Sequence, residues 1–428
     1  MKNLWSDTDA SQHQGYLAER VYSSRLLGAN ADLVLHGGGN TSVKGTWKDI
    51  YGEEVETLYV KGSGSDLVSI ELKDFVPVRL KDMLKLARLE KLSDLDMARE
   101  LKLATLDPGF PAPSVEAIMH ALIPHRFVDH THADAIVAIT NTANGEARIR
   151  EIFGDEVIVL PYVMPGFDLA KLVAEVFPKQ ATARTIGMVL MNHGIFSFGD
   201  TAKQSYGRMI ELVGRAEAYL NKHAPLSQAA SIEPKADWLA LAALRKNVSN
   251  AAGFPMLLHT CSSATALAFA RHPKVADISQ RGPATPDHVI RTKRVPMYGR
   301  DVAAYTQAYR DYFEKNSRLA NAPLTMLDPA PRVIVDAEFG LVTAGRSARD
   351  TKIAEDIYRH TMDIILRGEA LGGYQALGEA DLFNMEYWDL EQAKLKKAGA
   401  PKAFAGEVAL VTGAASGIGK ACVQAFLN

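Results

Sequence analysis

Cysteine is almost missing from this 428-residue chain: Cys261 and Cys422 are its only two, and they lie far apart. That excludes a disulfide framework and suits a reducing, cytoplasmic setting. Charge of one sign is missing too. Lys plus Arg number 48 against 50 for Asp plus Glu, with no basic stripe, so neither nucleic acid nor an anionic membrane surface is an expected partner. No apolar run reaches the ~18 residues of a membrane span. The opening "MKNLWSDTDASQHQ" has no apolar core of the secretory kind. With 47% hydrophobic and 23% charged residues, an ordinary globular chain of two or more domains is expected.

Helical and strand patterns alternate through the first 225 residues, which predicts an α/β domain. "GYLAERVYSSRLLGA" has helical spacing. "DLVLHGGGNTSVKG" and "TLYVKGSGSDL" read as short strands entering glycine-rich turns. "PSVEAIMHALIPH" reads as a helix starting near Pro113 and Ser114. A strand follows at "FVDHTHADAIV", then the strand and turn "EVIVLPYVMPG" and a helix over 168–177. "TIGMVLMNHGIFSFG" predicts a hairpin turning at Asn192, His193 and Gly194, and a long helix ends near residue 223. Residues 226–400 form a second α/β stretch. The segment 401–428 holds the end of a lysine-rich linker ("EQAKLKKAGAPKAFAG") and then "EVALVTGAASGIGKACVQAFLN".

The histidine strand poses a chemical question. His130 and His132 are two apart, so in a strand they share a face. Burying two imidazoles side by side is costly unless something binds them, while a half-exposed polar face is the plainer alternative. A third candidate ligand, His193, sits at the hairpin turn. Three histidines with an open fourth position make a catalytic rather than a structural metal site. Zinc suits three neutral imidazoles, with manganese or cobalt as alternatives. Glu116 falls in the first turns of the helix that leads into the histidine strand, placed to be a fourth ligand at rest and a general base once substrate displaces it. Its plainer reading is an exposed charge at a helix start. His120 reads as structural. The turns "GGGNTS" (37–42) and "KGSGS" (61–65), with Ser114, offer backbone N–H groups and hydroxyls to an anion.

In this order, "GGGNTS", "KGSG", "PSVE", "HTH", "PY" and "NHG" resemble the class II aldolase/adducin superfamily, over about residues 15–223. The resemblance implies a three-layer α/β/α domain in which His130, His132 and His193 hold zinc. It implies Glu116 as the acid/base and Asn40, Ser63, Gly64 and Ser114 as phosphate-binding residues. Val115 stands where that family has a second serine, so one phosphate-binding hydroxyl is missing. A tyrosine that protonates the leaving group from a neighbouring subunit matches Tyr162, which implies a homo-oligomer.

The whole chain is similar to a narrower group, the bifunctional rhamnulose-1-phosphate aldolase/short-chain dehydrogenases. "TGAASGIG" after "EVALV" matches the dinucleotide turn of short-chain dehydrogenases, carried by Gly413, Ser416, Gly417, Ile418 and Gly419. Only a first βα unit is present, so NAD(P) would belong to a longer, dehydrogenase-containing form, and no dehydrogenase activity is expected of this chain. The resemblance implies cleavage of a ketose 1-phosphate to dihydroxyacetone phosphate and an aldehyde such as lactaldehyde. Sugar-phosphate epimerases, a dehydratase and non-catalytic adducin-like modules are the alternatives.

An internal echo is also visible. "VIVDAEFGLVTAGRSARDTKIAEDIYRHTMDIILRGEAL" (333–371) parallels "MVLMNHGIFSFGDTAKQSYGRMIELVGRAEAYL" (188–220). Asp287 and His288 align with Asp129 and His130, and Pro296 and Tyr298 with Pro161 and Tyr162. Residues 226–400 are therefore expected to be a degenerate aldolase-like copy, with Ile290 and Phe339 in place of the second and third histidines. Two such chains would imitate a fourfold ring.

Overall fold

A computed structural model describes residues 1–227, 237–320, 323–396 and 402–427. Its first unit carries a seven-stranded sheet: β1 (Asn40–Lys48), β2 (Glu54–Lys61), β3 (Phe75–Arg79), β4 (Phe127–Thr131), β5 (Val157–Leu160), β6 (Gly187–Leu190) and β7 (Gly194–Gly199). The spatial order is β3-β2-β1-β4-β7-β6-β5, with β5 and β6 parallel and every other neighbouring pair antiparallel. β4, β5, β6 and β7 are buried along their whole length. Such strands read as continuous apolar runs because helices cover both faces of the sheet. The helices Tyr16–Gly28, Asp134–Thr140, Gly145–Phe153 and Ala202–His223 pack together on one face, and Leu80–Leu86, Ala117–Leu122 and Phe167–Gln180 on the other. This is the expected three-layer α/β/α domain.

Beneath β4, Arg20 and Asp129 form an ion pair at 2.5 Å, both side chains fully buried. Ser205 donates to Asp129 Oδ2 at 2.5 Å, so the carboxylate is bonded on two sides. The pair joins the helix Tyr16–Gly28, the histidine strand and, through Ser205, the long helix Ala202–His223. The compact unit also takes in residues 284–287 and 363–377, so it crosses the linear boundary expected near residue 225.

The second unit holds β8 (Leu257–Cys261), β9 (Met297–Tyr298), β10 (Val333–Asp336) and β11 (Gly340–Gly345), in the order β8-β11-β10-β9. Its core is Leu244, Val248, Met256, Met297, Ile334 and Val342 with their neighbours. A separate buried polar cluster joins Lys293, Glu386, Tyr309 and Tyr387. Lys293 Nζ lies 3.7 Å from Glu386 Oε1, and Tyr309 donates to that carboxylate at 2.9 Å.

β9 runs parallel to β10, β10 antiparallel to β11, and β11 antiparallel to β8. The same senses hold for β5, β6, β7 and β4 in turn. Register then corrects two sequence alignments. Cys261 faces Leu341 as Thr131 faces Ile195, so Thr260 and Ser262 stand at the places of His130 and His132. Asp287 and His288 lie instead in a short 3-10 turn, and Ile290 in the helical turn Val289–Thr292. Tyr298 lies inside β9, opposite Val335, where the first sheet has Val159 opposite Val189. It is therefore not the counterpart of Tyr162.

Four local expectations also differ. The histidine strand ends at Thr131, with His132 just beyond it, and Asp134–Thr140 is a helix rather than more strand. "DLVL" is not a strand: Leu33 and Val34 are buried in a turn closed on the Asn30 carbonyl, and the strand begins after the glycines. The helix expected from Pro113 starts only at Ala117, because Pro113 bridges Gly62 and Ser114 bonds the Lys61 carbonyl. Residues 407–411 form no strand and are largely exposed. An apolar run of that kind needs a neighbouring strand to satisfy its backbone. The helix Gly417–Leu427 does form, but buries no residue. Gly413 in the turn ahead of it and Gly417 at its first position adopt positive φ (65° and 52°), with Ser416 between them, and Ile418 is exposed. In the lysine-rich stretch, Asp389–Lys396 is helical, while 397–401 lie outside the described residues. No helix among the described residues is long and apolar enough to cross a membrane.

Candidate functional site

The strand senses bring the chemistry-bearing residues to one end of the first sheet. That end holds the C-terminal ends of β2, β4, β5 and β6 and the N-terminal ends of β1 and β7. It carries Lys61 to Gly64, His130 to His132, Tyr162, His193 and Asn40.

His130, His132 and His193 converge there, one ligand nitrogen from each lying within 4.8 Å of the others. The three rings are 4.9–5.0 Å apart, and His130 Nε2 and His132 Nε2 are separated by 3.1 Å. His130 donates from Nδ1 to the Ile195 carbonyl at 3.1 Å, and Phe196 stacks on its ring at 4.2 Å. The hairpin turn makes this possible. Asn192 takes φ +56°, a left-handed conformation that asparagine tolerates, and glycine follows. A Cβ on Gly194 would lie 2.3 Å from the Thr131 carbonyl, and 3.1 and 3.2 Å from the rings of His130 and His132. Only glycine lets the turn come so close.

Glu116 is buried against the triad. Its Oε2 accepts from Asn40 Nδ2 and lies 3.6 Å from His130 Nε2. Its Oε1 lies 3.7 Å from His193 Nε2 and is buried with no hydrogen-bond partner. Three converging imidazoles and a buried carboxylate oxygen without a donor are the donor set of a divalent cation. Burial first, and the neighbouring His132 second, hold His193 down to about 3 and His130 well below the ordinary range. Both are therefore neutral, as metal ligation requires. Burial opposes charge on His132, but the Asp287 carboxylate outweighs it and raises that group.

Asn40, expected to bind phosphate, holds Glu116 and His120 together: its Oδ1 meets His120 Nε2, and His120 Nδ1 meets Ser42 Oγ at 2.7 Å. His120, completely buried, is thus one link in a chain running from Ser42 to Glu116. Ser63 and Ser114 lie beside each other where the segment after β2 meets the stretch ahead of Glu116. Their N–H groups donate to the Ala112 and Lys61 carbonyls, and Ser114 Oγ accepts from Glu116 N at 3.3 Å. The backbone thus leaves fewer amides for an anion than the glycine spacing suggests. Gly64 takes φ +92° and is exposed, with nothing within 4 Å of the place of a Cβ. Tyr162 is half-buried, two residues beyond the end of β5.

Two residues escaped the sequence reading. Lys61 is buried, and its ammonium donates to the Gly37 carbonyl at 3.2 Å and the Ser65 carbonyl at 2.7 Å, tying the two glycine turns together. Its signal was its place at the inner end of a buried strand, where a lysine needs a reason. Asp287 comes from far along the chain, and no local pattern connects it with His132.

Residues 18–220 match the family described as the class II aldolase and adducin N-terminal domain, and residues 235–395 match the second domain of class II aldolases. The chain belongs to the class II aldolase/adducin superfamily. It is 32% identical over 457 residues to a Bacillus subtilis (strain 168) protein named uncharacterized oxidoreductase YuxG, and the match takes in 100% of this chain. The chain spans 65% of the length of that relative. Among solved structures, the N-terminal class II aldolase domain of a Thermoplasma acidophilum protein is 44% identical, covering 51% of this chain and 99% of that one, with a TM-score of 0.48. L-fuculose-1-phosphate aldolase from Thermus thermophilus is 19% identical, covering 47% of this chain and 95% of that one, with a TM-score of 0.31.

Proposed function

We propose that the chain is a metal-dependent aldolase that cleaves a ketose 1-phosphate to dihydroxyacetone phosphate and an aldehyde, with a rhamnulose 1-phosphate-like sugar as substrate and lactaldehyde as the aldehyde. One observation carries the reading: a buried carboxylate, Glu116, lies within 4 Å of two of three converging histidines. His130, His132 and His193 would hold zinc, or manganese or cobalt, with Glu116 as a fourth ligand at rest. When bound, the ion supplies a Lewis acid that stabilises negative charge developing on the substrate oxygens.

The protein's own groups do the rest. Asn40 fixes one oxygen of Glu116 and leaves the other facing the site, placed to take up and return a proton at the carbon next to the carbonyl. Lys61 places a positive charge between the glycine turns. With the Ser63 and Ser114 hydroxyls and Gly64, it favours the phosphate end of the substrate there. Tyr162, at the same end of the sheet, serves the aldehyde oxygen, in a neighbouring subunit of a homo-oligomer. An adducin-like binding module has no need of a buried acid facing three histidines.

Residues 226–400 are a degenerate copy of the aldolase domain, a reading supported by the matching strand orders. Gly413 to Gly419 would serve NAD(P) only with a complete dinucleotide domain, in a longer form that oxidises the aldehyde. The test is a coupled assay for dihydroxyacetone phosphate over a panel of ketose 1-phosphates, wild type against Glu116→Gln. Release from the rhamnulose ester that the variant loses supports the reading. No release from any member of the panel refutes it.

A further inference from the structure

We infer that Asp287 is a positioning residue for the metal centre: its carboxylate holds the Nδ1 side of His132 and so presents Nε2 to the ion. Asp287 Oδ1 lies 3.4 Å from His132 Nδ1, an ion-pair distance without the alignment of a full hydrogen bond, and the His132 side chain is 8% exposed. On the ring's other side, His132 Nε2 faces His130 Nε2 at 3.1 Å. A histidine that donates one ring N–H to a carboxylate keeps the opposite nitrogen as a lone-pair donor, and the carboxylate makes that nitrogen more basic. His130 is handled the same way by a weaker acceptor, the Ile195 carbonyl.

The contact is built. Residues 284–287 belong to the same compact unit as the histidines, although they lie within the stretch matched by the second family domain. Asn141 anchors them, donating from Nδ2 to the Ala284 carbonyl at 2.8 Å. The same Asn141 accepts on Oδ1 from Asn192 Nδ2 at 3.0 Å, and its carbonyl accepts from Gln375 N at 2.7 Å. One buried asparagine, through its side-chain amide and its backbone carbonyl, thus links the His193 turn to the Asp287 segment and to residue 375. Gly38 completes the fit: a Cβ there would lie 3.4 Å from His132 Nδ1 and 3.8 Å from Asp287 Oδ2, space that a larger side chain would fill. Downstream sequence therefore finishes the metal site of the upstream domain. A chain cut near residue 225 would keep all three ligands and lose the group that orients one of them.

This rests on the metal-centre reading of the three histidines and on no particular substrate. Zinc and cobalt affinities of the full 428-residue chain, measured by chelator competition without any sugar, test it. Asp287→Asn should weaken both by about 10- to 100-fold, the usual effect of losing a partner of this kind. It should also move the cobalt d–d absorption bands while circular dichroism stays unchanged. Asp287→Glu, which keeps the charge, should recover part of the affinity. An Asp287→Asn affinity within twofold of wild type overturns the inference even if the chain is an active aldolase. A wild-type chain that takes up neither ion overturns both this and the metal-centre reading. A failed sugar panel with intact metal binding overturns only the aldolase. Should the asparagine variant not fold, long-range ¹⁵N spectra of the metal-free wild type at pH 8 decide. A proton on His132 Nδ1 supports the inference, and one on Nε2 overturns it.

Discussion

His130 donates from Nδ1 to the carbonyl oxygen of Ile195, its diagonal neighbour on β7, and so turns Nε2 toward His132 and His193. The backbone itself fixes the tautomer, so the site is arranged before any ion arrives. His130→Ala, His132→Ala and His193→Ala should each lower zinc affinity at least 100-fold while leaving the fold intact. Calorimetric titration checks this. Tight one-to-one binding retained by any of the three would remove that residue from the ligand set.

Glu116 is expected to act on protons more than on metal retention. Glu116→Gln keeps the shape and the Asn40 contact on one side but cannot exchange a proton. Turnover of the cleaved ketose phosphate should fall by about 10²–10⁴. Metal content should stay near one per chain, since three histidines remain. Single-turnover kinetics on the loaded protein read the first quantity and elemental analysis the second.

The Arg20–Asp129 pair makes a stability prediction. Both groups are fully out of water, so removing one leaves the other charged, buried and unpaired. Asp129→Asn should cost about 3–5 kcal/mol. The Arg20→Met/Asp129→Leu double variant should cost less than Asp129→Asn alone. Urea unfolding of the three proteins decides, and equal losses would mean that the pair does not act as a unit.

Much of the site was legible because its residues obey local rules. His130 and His132 stand out as two imidazoles spaced by two, although β4 ends at Thr131 and His132 follows it. His193 stands between an asparagine and a glycine, the residues that a tight turn demands. What stayed hidden depends on contacts between distant parts of the chain. Asp287 meets His132 only after the chain has folded back. Lys61 shows its role only where the two glycine turns close around its ammonium. "DLVL" and "EVALV" both have strand composition, yet neither has an adjacent strand to pair with, and pairing rather than propensity makes a strand. The second unit's topology was readable from its hairpin and long helix. Its alignment was not, because the register of β8 on β11 becomes visible only through hydrogen bonds.

Lys293 supplies a pH dependence. Burial first, against the opposing pull of Glu386, holds its ammonium down to about 8. The folded chain gives up this proton near pH 8, whereas an unfolded lysine keeps it to about 10.4. Between those values the unfolded state binds more protons, so this group makes stability rise with pH. The cost of burying the ammonium is fully present below pH 8 and relieved as pH climbs toward 10. Lys293→Met should lack that gain. Urea midpoints at pH 7.5, 8.5 and 9.5, followed by near-ultraviolet circular dichroism of the surrounding tyrosines, would show the two proteins diverging. Parallel curves would reject the assignment.

If the second unit is a degenerate copy, its register shows what became of each ligand position. Thr260 stands for His130, Ser262 for His132, and Phe339 ahead of Gly340 for His193 ahead of Gly194. A hydroxyl, a second hydroxyl and a phenyl ring do not make a zinc site, since zinc prefers imidazole, thiolate and carboxylate donors. Phe339 is buried and packs into the unit's hydrophobic core, so that position has exchanged a ligand for packing. The chain should therefore bind one divalent ion, not two. Restoring all three histidines (Thr260→His, Ser262→His, Phe339→His) should raise uptake toward two ions per chain, at a stability cost from the buried Phe339 position. Elemental analysis of the wild type after equilibration with excess zinc and gel filtration gives the answer. Two ions per wild-type chain, with the second kept after mutation of His130, His132 and His193, would refute the one-ion stoichiometry.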